Sequence, residues 1–273
     1  DLLSDEITWA GDLEHLLAGD VSLVQTGEQF AERINDGDVP QRLRVLNQHL
    51  TDGSSFESEF RLRREDGAFA WVQERAAAEL DETGMPLAIC GVLRVITRRK
   101  EREALLEHRA NYDELTGHLN KARLREALGS TLAYCNRFRV PGSLLAVGID
   151  HLSGINDRYG RAVADEVVIA VGQRLERCLR IIDLVGRMDG DVFGVLHSNC
   201  DDAGVDILCE RILESLRSQP LDTTKGPISI TASIGAVRFP EGIHTAQEAM
   251  GNAAAALRKA KDGGRNCARI FEL

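Results

Sequence analysis

An acidic turn is the most informative part of this chain, because its carboxylates could hold a cation. It lies in the segment Arg187-Met-Asp-Gly-Asp-Val-Phe193, between two short apolar runs that predict strands. Asp189-Gly190 is a favoured pair for a type I′ hairpin, whose two central residues need positive φ angles. Carboxylates can hold a hard cation such as Mg²⁺, which phosphoryl transfer requires. The sequence therefore predicts a hairpin that presents two acidic side chains, Asp189 and Asp191, at its turn.

The composition is that of an acidic globular protein, long enough for two domains. The 273 residues are 43% hydrophobic and 28% charged, with a formal net charge of −10. This charge argues against nucleic acid and anionic membranes as partners, because both require a basic surface. No apolar run approaches the roughly 20 residues of a membrane helix, and no signal peptide is visible. The six scattered cysteines predict buried thiols in a reducing cytoplasm.

The first hundred residues change from a helical to a strand-rich pattern. Residues 41–50 favour a helix, and three strand patterns separated by turn sequences follow at 56–64, 68–80 and 87–96. We therefore predict an antiparallel meander of three long strands.

This meander resembles the second half of the PAS fold. The resemblance rests on Phe56 to Gly67 (FESEFRLRREDG), on Trp71-Val72 and on Gly91 to Thr97 (GVLRVIT). Val95 stands where the family usually has an aspartate. The resemblance implies a sensory or dimerisation domain over residues 1–97.

The cofactor of this PAS domain is unknown from the sequence. No cysteine motif of the flavin photoreceptors is visible. His15 and His49 are candidate haem ligands, and ordinary surface or core histidines are the alternative.

From residue 113 onward, strand and helix patterns alternate. Strands are predicted at 144–149, in the acidic hairpin at 184–196, at 227–237 and at 266–271. Helices are predicted at 157–181, 202–217 and 245–261. Helices flanking one mixed central sheet place the chain in the α+β class, with the antiparallel PAS sheet and its helices preceding.

This second half resembles the GGDEF domains of diguanylate cyclases. Four ordered segments carry the resemblance: Asp113 to Asn120 (DELTGHLN), Asp150 to Gly160, the acidic hairpin, and Ala260 to Asn266 (AKDGGRN). The resemblance implies a domain over 113–273. Its relatives join two GTP molecules into cyclic di-GMP with Mg²⁺, as dimers.

The catalytic set that the resemblance implies is incomplete. The signature positions are Asp189, Gly190, Asp191, Val192 and Phe193. Val192 stands in place of an acidic residue, and Asp189 replaces a glycine that lets the backbone approach the nucleotide. Gly148 stands where relatives have a metal-binding aspartate, and Ser153 where they have a lysine.

The metal ligands that remain are Asp191 and, more weakly, Asp150. Loss of one charge-stabilising group commonly costs about 10² to 10³ in rate. We therefore predict no intact catalytic centre. A slow enzyme, in which Asp150 shifts to replace the missing ligand, is the alternative.

A nucleotide-binding set is implied at five positions. They are Asn120, Asn156, Asp165, Lys261 and Arg265. The asparagines and Asp165 match residues that recognise guanine, and Lys261 and Arg265 match residues that contact phosphates. A helix cap at Asn156 and helix C-terminal cations at Lys261 and Arg265 are the alternatives. Mg²⁺ is the expected companion of GTP if GTP binds.

A second ligand site is implied by Arg180-Ile-Ile-Asp183, shortly before the hairpin. Relatives place an RxxD inhibitory site for cyclic di-GMP there. Arginine suits the guanine edge, Asp183 can accept from the guanine amino group, and Arg211 is a candidate third member. An Arg–Asp pair at a helix end is the alternative.

Residues 98–112 predict a helical connector, because they carry mixed charges and no glycine or proline. In relatives the equivalent helix pairs in parallel and transmits the sensor state, which implies a homodimer. A solvated single helix is the alternative.

The whole pattern predicts a regulator of cyclic di-GMP signalling. A PAS sensor would be coupled to a catalytically impaired GGDEF domain that binds GTP and/or cyclic di-GMP. It would regulate a partner phosphodiesterase or a following EAL domain. A residual diguanylate cyclase and a dimerisation scaffold that binds no nucleotide are the alternatives.

Overall fold

The computed structural model describes residues 1–12, 16–17, 24–239 and 243–272. The chain divides into two compact units, Asp1–Leu105 and Leu106–Leu273. Among the described residues, no helix is both long and apolar enough to cross a membrane.

The N-terminal unit is built on an antiparallel sheet, as the strand patterns predict. Its elements are α1 (Gly27–Ala31), α2 (Val39–Asp52), β1 (Phe56–Arg63), β2 (Phe69–Leu80) and β3 (Pro86–Val95). The strands lie in the order β1-β2-β3, with Phe60 opposite Val72 and Val72 opposite Val95. Phe60, Leu62 and Val72 are fully buried against the helices, so one face of the sheet forms the core.

His49 is a buried structural residue. Its Nδ1 atom bonds with the carbonyl oxygen of Ser54, and its Nε2 atom accepts a hydrogen bond of 2.9 Å from the backbone of Ala78. Both ring nitrogens are therefore engaged in joining the end of α2 to β2, which favours the alternative to haem ligation. The other candidate, His15, lies outside the described residues.

Helix α3 (Thr97–Asn111) corresponds to the predicted connector and presents no buried side chain. The C-terminal unit then adds helices α4 (Lys121–Phe138), α5 (Leu152–Tyr159), α6 (Arg161–Arg177), α7 (Asp202–Arg217) and α8 (Ala246–Asp262). Its strands are β4 (Gly142–Ile149), β5 (Leu184–Asp189), β6 (Val192–Ser198), β7 (Leu221–Thr223), β8 (Gly226–Ile228), β9 (Ala232–Phe239) and β10 (Ala268–Ile270).

The central sheet of this unit has the strand order β10-β9-β4-β6-β5. Only β10 and β9 run parallel; the other neighbours are antiparallel, which confirms the predicted mixed sheet. Strand β4 lies at the centre, and all eight of its residues are buried. Helices cover both faces. At the end of β4, the backbone of Ile149 donates to the carbonyl of Asp191 in the β5–β6 turn at 2.9 Å, and α5 begins three residues later at Leu152.

Three sequence predictions in this unit are wrong in detail. The helix predicted at 157–181 is two helices, because Gly160 takes φ 86° and ψ 166° between α5 and α6. Neither Asp189 nor Gly190 has a positive φ, so the hairpin turn is not type I′. The strand predicted at 227–237 is divided into β8 and β9.

Four of the six cysteines are buried, in keeping with the prediction for Cys135, Cys178, Cys200 and Cys209. Burial raises the pKa of the Cys209 thiol to about 12, so this thiol is unreactive at neutral pH. Cys90 is exposed, which contradicts the prediction for that residue.

Candidate functional site

A cleft of about 670 Å³ opens at the end of β4. Helix α5, helix α6, the β5–β6 turn and the end of α8 surround it. The side chains and backbone groups that could bind a ligand there belong to Ser153, Asn156, Arg161, Asp165, Arg187, Asp191, Lys261 and Arg265. Residues far apart in the sequence therefore converge on one opening, at the carboxyl end of the central strand.

Arg187 is a cleft residue that the sequence analysis missed. Its guanidinium donates to the Asp113 carboxylate at 3.1 Å and to the backbone carbonyl of Gly190 at 2.8 Å. It thereby fixes the acidic turn to the segment that precedes α4. A signal was present in the sequence, because Arg187 opens the signature segment and Asp113 opens the first segment of the family pattern.

Thr116 and Arg187 together favour the ionised form of Asp113. Burial on its own would raise its pKa, but hydrogen bonds from Thr116 and the charged contact with Arg187 together lower the pKa below the ordinary aspartate value. A carboxyl whose pKa is lowered by folding stabilises the fold above its unfolded pKa. That contribution disappears as the pH falls through the folded value.

We expect Arg187→Leu to lower the free energy of unfolding at pH 7 by about 1–3 kcal/mol, because it leaves the half-buried Asp113 short of a charged partner. The difference between variant and wild type should start to shrink as the pH falls below about 4, the ordinary aspartate pKa, and should shrink further as the pH falls through the lower folded pKa of Asp113. Urea unfolding at several pH values measures both effects. A difference that stays constant down to pH 3 would show that the packing of Arg187, and not its charge, stabilises the turn.

Asp150, predicted as a weak metal ligand, is buried and holds three hydrogen bonds. Its carboxylate accepts hydrogen bonds from Ser233 Oγ at 2.7 Å, from Thr231 Oγ1 at 2.8 Å and from the backbone of Asn266 at 3.1 Å. Only 3% of the residue is exposed, and both oxygens are engaged. The carboxylate ties β4 to β9 and to the turn after α8, and it does not line the cleft.

Asp191 does line the cleft, but its partner is a lysine. Lys261 Nζ donates to Asp191 Oδ2 at 2.7 Å. The two positions that lack the family's acidic residues, Gly148 and Val192, are directly opposite each other on β4 and β6. Among the described residues, no group of three His, Cys, Asp or Glu side chains could hold a metal ion.

Asn156 and Asp165 face the same cleft from neighbouring helices. Asn156 lies inside α5 and is exposed, so it is not the helix cap of the alternative interpretation; His151 holds that position. Asp165 lies on α6, with Arg161 Nε 3.9 Å from its carboxylate. Both side chains are available to a ligand in the cleft.

Of the two other residues in the predicted nucleotide-binding set, Arg265 lines the cleft and Asn120 does not. Arg265 is exposed on the cleft rim, and its backbone donates to the carbonyl of Ala260 at 3.1 Å, which closes the end of α8. Asn120 is not a lining residue. Its side chain caps α4 by accepting from the backbone of Arg123 at 2.9 Å, and it donates to the carbonyl of Ala110 at 2.8 Å. Asn120 thus joins α3 to α4.

The RxxD turn does not offer its aspartate to a ligand. The Asp183 side chain has 0% exposure, and its Oδ1 atom lies 2.9 Å from Nδ1 of the buried His197. Its Oδ2 atom accepts from the backbone of Arg180 at 2.9 Å. Acceptance of a guanine amino group by Asp183 would require these hydrogen bonds to break, whereas the side chains of Arg180 and Arg211 are already exposed.

Comparison with known families confirms both resemblances. Residues 110–267 match the family described as diguanylate cyclase, GGDEF domain, and residues 7–93 match the PAS fold. Cyclic di-GMP phosphodiesterase NbdA of Pseudomonas aeruginosa is 30% identical over 203 residues, which is 74% of this chain and 25% of NbdA. Diguanylate cyclase TpbB of the same organism is 32% identical over 217 residues, 78% of this chain and 49% of TpbB.

The chain thus spans between a quarter and a half of these two relatives. Among solved structures, the GGDEF domain of TpbB superposes with a TM-score of 0.58 at 30% identity, covering 59% of this chain and 95% of that chain. The coiled coil and GGDEF domain of DgcB from Caulobacter crescentus, in complex with c-di-GMP, gives a TM-score of 0.59 at 25% identity. That match covers 64% of this chain and 93% of the solved DgcB chain. The chain therefore belongs to the GGDEF diguanylate cyclase family, and its GGDEF domain follows a PAS fold.

Proposed function

We propose that this protein is a regulator in cyclic di-GMP signalling whose GGDEF domain binds GTP without efficient conversion to product. The observation that supports the proposal most is the composition of the cleft. It combines hydrogen-bonding groups suited to guanine, Asn156 and Asp165, with cations suited to phosphates, Lys261 and Arg265.

Impaired catalysis is supported by the acidic groups at the same cleft. Phosphoryl transfer in this family needs carboxylates that hold a divalent cation. Here Gly148 and Val192 supply no carboxylate, Asp150 is buried in hydrogen bonds, and Asp191 is paired with Lys261. The donor set therefore does not fit the Mg²⁺ that GGDEF domains generally use with GTP.

Binding of cyclic di-GMP at the RxxD turn, by Arg180, Asp183 and Arg211, is proposed as well, and it requires a change of conformation. Asp183 would first have to leave His197 and the hydrogen bond from the Arg180 backbone. Without Asp183, the exposed Arg180 side chain offers a positive charge to the ligand, but no carboxylate accepts a hydrogen bond from the guanine amino group.

We further propose that residues 1–97 form the sensor, 98–112 the connector and 113–273 the regulatory domain of a homodimer. Two relatives support a phosphodiesterase as the regulated element. NbdA is named a phosphodiesterase, and MucR of Pseudomonas aeruginosa is named a bifunctional cyclase and phosphodiesterase. The output would pass to a partner enzyme or to an EAL domain.

Calorimetric titration of Mg²⁺·GTP, with chromatography for cyclic di-GMP, tests the proposal. We expect saturable heat with no sustained signal and no product. Continuing heat with formation of cyclic di-GMP would favour the alternative that the protein is a residual diguanylate cyclase. A flat trace at concentrations that detect weak binding would favour a dimerisation scaffold that binds no nucleotide.

Asn156→Ala should raise the Kd for GTP about tenfold, because a hydrogen bond to the ligand contributes about 1–1.5 kcal/mol. Asn47→Ala is the matched control, since Asn47 is also an exposed helical asparagine but lies in the N-terminal unit. Equal affinities of the two variants would remove Asn156 from the site.

A further inference from the structure

The space beside Gly148 holds a cation. A Cβ atom placed on Gly148 would lie 2.9 Å from Lys261 Cε and 3.0 Å from Lys261 Nζ. The ammonium therefore occupies the volume that a carboxylate at this position would need. Gly148 lies in a fully buried strand, and the third near neighbour of that Cβ position is Leu257 Cδ2, at 3.2 Å.

The same ammonium neutralises the carboxylate that remains. Lys261 Nζ lies 2.7 Å from Asp191 Oδ2, and the two side chains are 28% and 36% exposed. Opposite Gly148, Val192 provides no oxygen. A divalent ion placed between Gly148 and Val192 would be repelled by the Lys261 ammonium. Of positions 148, 191 and 192, only Asp191 could supply a carboxylate to hold the ion.

The lysine retains capacity for a ligand. An ammonium group has three donors, and Asp191 uses one of them. Arg265 and Arg161 are exposed on the same cleft, whereas Arg187 is neutralised by Asp113. Three cations therefore face two carboxylates, Asp165 and Asp191, which gives the cleft a positive balance in a chain whose net charge is −10.

We infer that this cleft binds a nucleoside triphosphate without a divalent cation, and that Lys261 acts as the built-in positive charge in place of the metal. The inference rests on the proposed GTP-binding function and defines how that site recognises its ligand. Two donors of Lys261 contact phosphate oxygens while the third keeps Asp191 paired. Arg265 supplies the second phosphate contact from the rim.

Titration of GTP in excess EDTA and in excess Mg²⁺ tests the inference. We expect the two Kd values to agree within about threefold. Tenfold or greater weakening in EDTA would overturn the inference while leaving the proposed function intact. No binding in either condition would overturn the proposed function, and the inference with it.

Two variants sharpen the result. Lys261→Gln should weaken GTP binding in EDTA at least tenfold, whereas Lys259→Gln should not change it, because Lys259 lies on the same helix, is exposed and does not line the cleft. Unchanged binding by Lys261→Gln, with thermal unfolding like that of the control, would overturn the assignment of Lys261.

The double variant Gly148→Asp, Val192→Glu restores two facing acidic residues. The nearest obstacles at Gly148 are Cε and Nζ of the flexible Lys261 side chain, which can move aside, and Leu257 Cδ2 at 3.2 Å, which must shift by a few tenths of an ångström. We expect this variant to bind GTP at least tenfold better in Mg²⁺ than in EDTA, in contrast to the wild type. Metal-independent binding by the double variant would show that the missing carboxylates do not decide the metal requirement.

Discussion

Replacing Gly235 by alanine is expected to lower the free energy of unfolding of the C-terminal unit by about 3 kcal/mol, at the upper end for overpacked cores. A Cβ atom at Gly235 would lie 2.7 Å from the carbonyl carbon of Ala256, and closer still to the backbone of Ala253 and Leu257. These are backbone atoms of α8, which cannot rotate away as a side chain would. The helix would have to move off β9. Guanidinium unfolding, monitored by the loss of helical circular dichroism, measures the effect.

Gly251→Ala is the matched control. Gly251 lies within α8 itself, and a Cβ atom there meets nothing within 4 Å. We expect this variant to be more stable than the wild type by about 0.5–1 kcal/mol, because alanine is a better helix former than glycine. A Gly235→Ala protein as stable as the wild type would contradict the direct seating of α8 on β9. Since α8 carries Lys261, that outcome would also weaken the description of the cleft.

Much of the fold follows from the sequence because burial imposes periodic patterns. Strand β4 is a continuous apolar run, as expected of a central strand covered on both faces, and α7 has the predicted bounds of residues 202–217. The break at Gly160 was not predicted, since an isolated glycine within a helical pattern is compatible with an uninterrupted helix. The positive φ angle of Gly160 decides the outcome and depends on how α5 and α6 pack.

The site was predictable in its residue types but not in its pairings. Asp150 is acidic and follows a buried strand, which suits a metal ligand equally well. Its actual partners lie 81, 83 and 116 residues further along the chain, at Thr231, Ser233 and Asn266, and local patterns carry no information on such distances. For the same reason the contact of Lys261 with Gly148 and Asp191 could not be anticipated.

His197→Leu is expected to lower the free energy of unfolding by about 1–3 kcal/mol, because it removes the hydrogen-bond partner of a fully buried carboxylate and leaves that acceptor short of a partner. The Asp183 side chain is 0% exposed and would retain only the backbone hydrogen bonds from Arg180 and Ser198. His244→Leu, at an exposed histidine of the same unit, should stay within about 0.5 kcal/mol of the wild type. Urea unfolding of the two variants gives the comparison.

A second substitution separates charge from packing. Adding Asp183→Asn to His197→Leu removes the unpaired charge, so the double variant should be at least about 1 kcal/mol more stable than His197→Leu alone. A double variant that is less stable than the single one would show that the Asp183 carboxylate does not depend on His197.

The Asp183–His197 pair also affects the expected binding of cyclic di-GMP. If Asp183 stays buried when ligand binds, Asp183→Asn should leave any affinity for cyclic di-GMP unchanged. The ligand would then contact the exposed side chain of Arg180 and not Asp183. A tenfold loss of affinity on Asp183→Asn would instead require the RxxD turn to open and release Asp183 from His197 in the bound state.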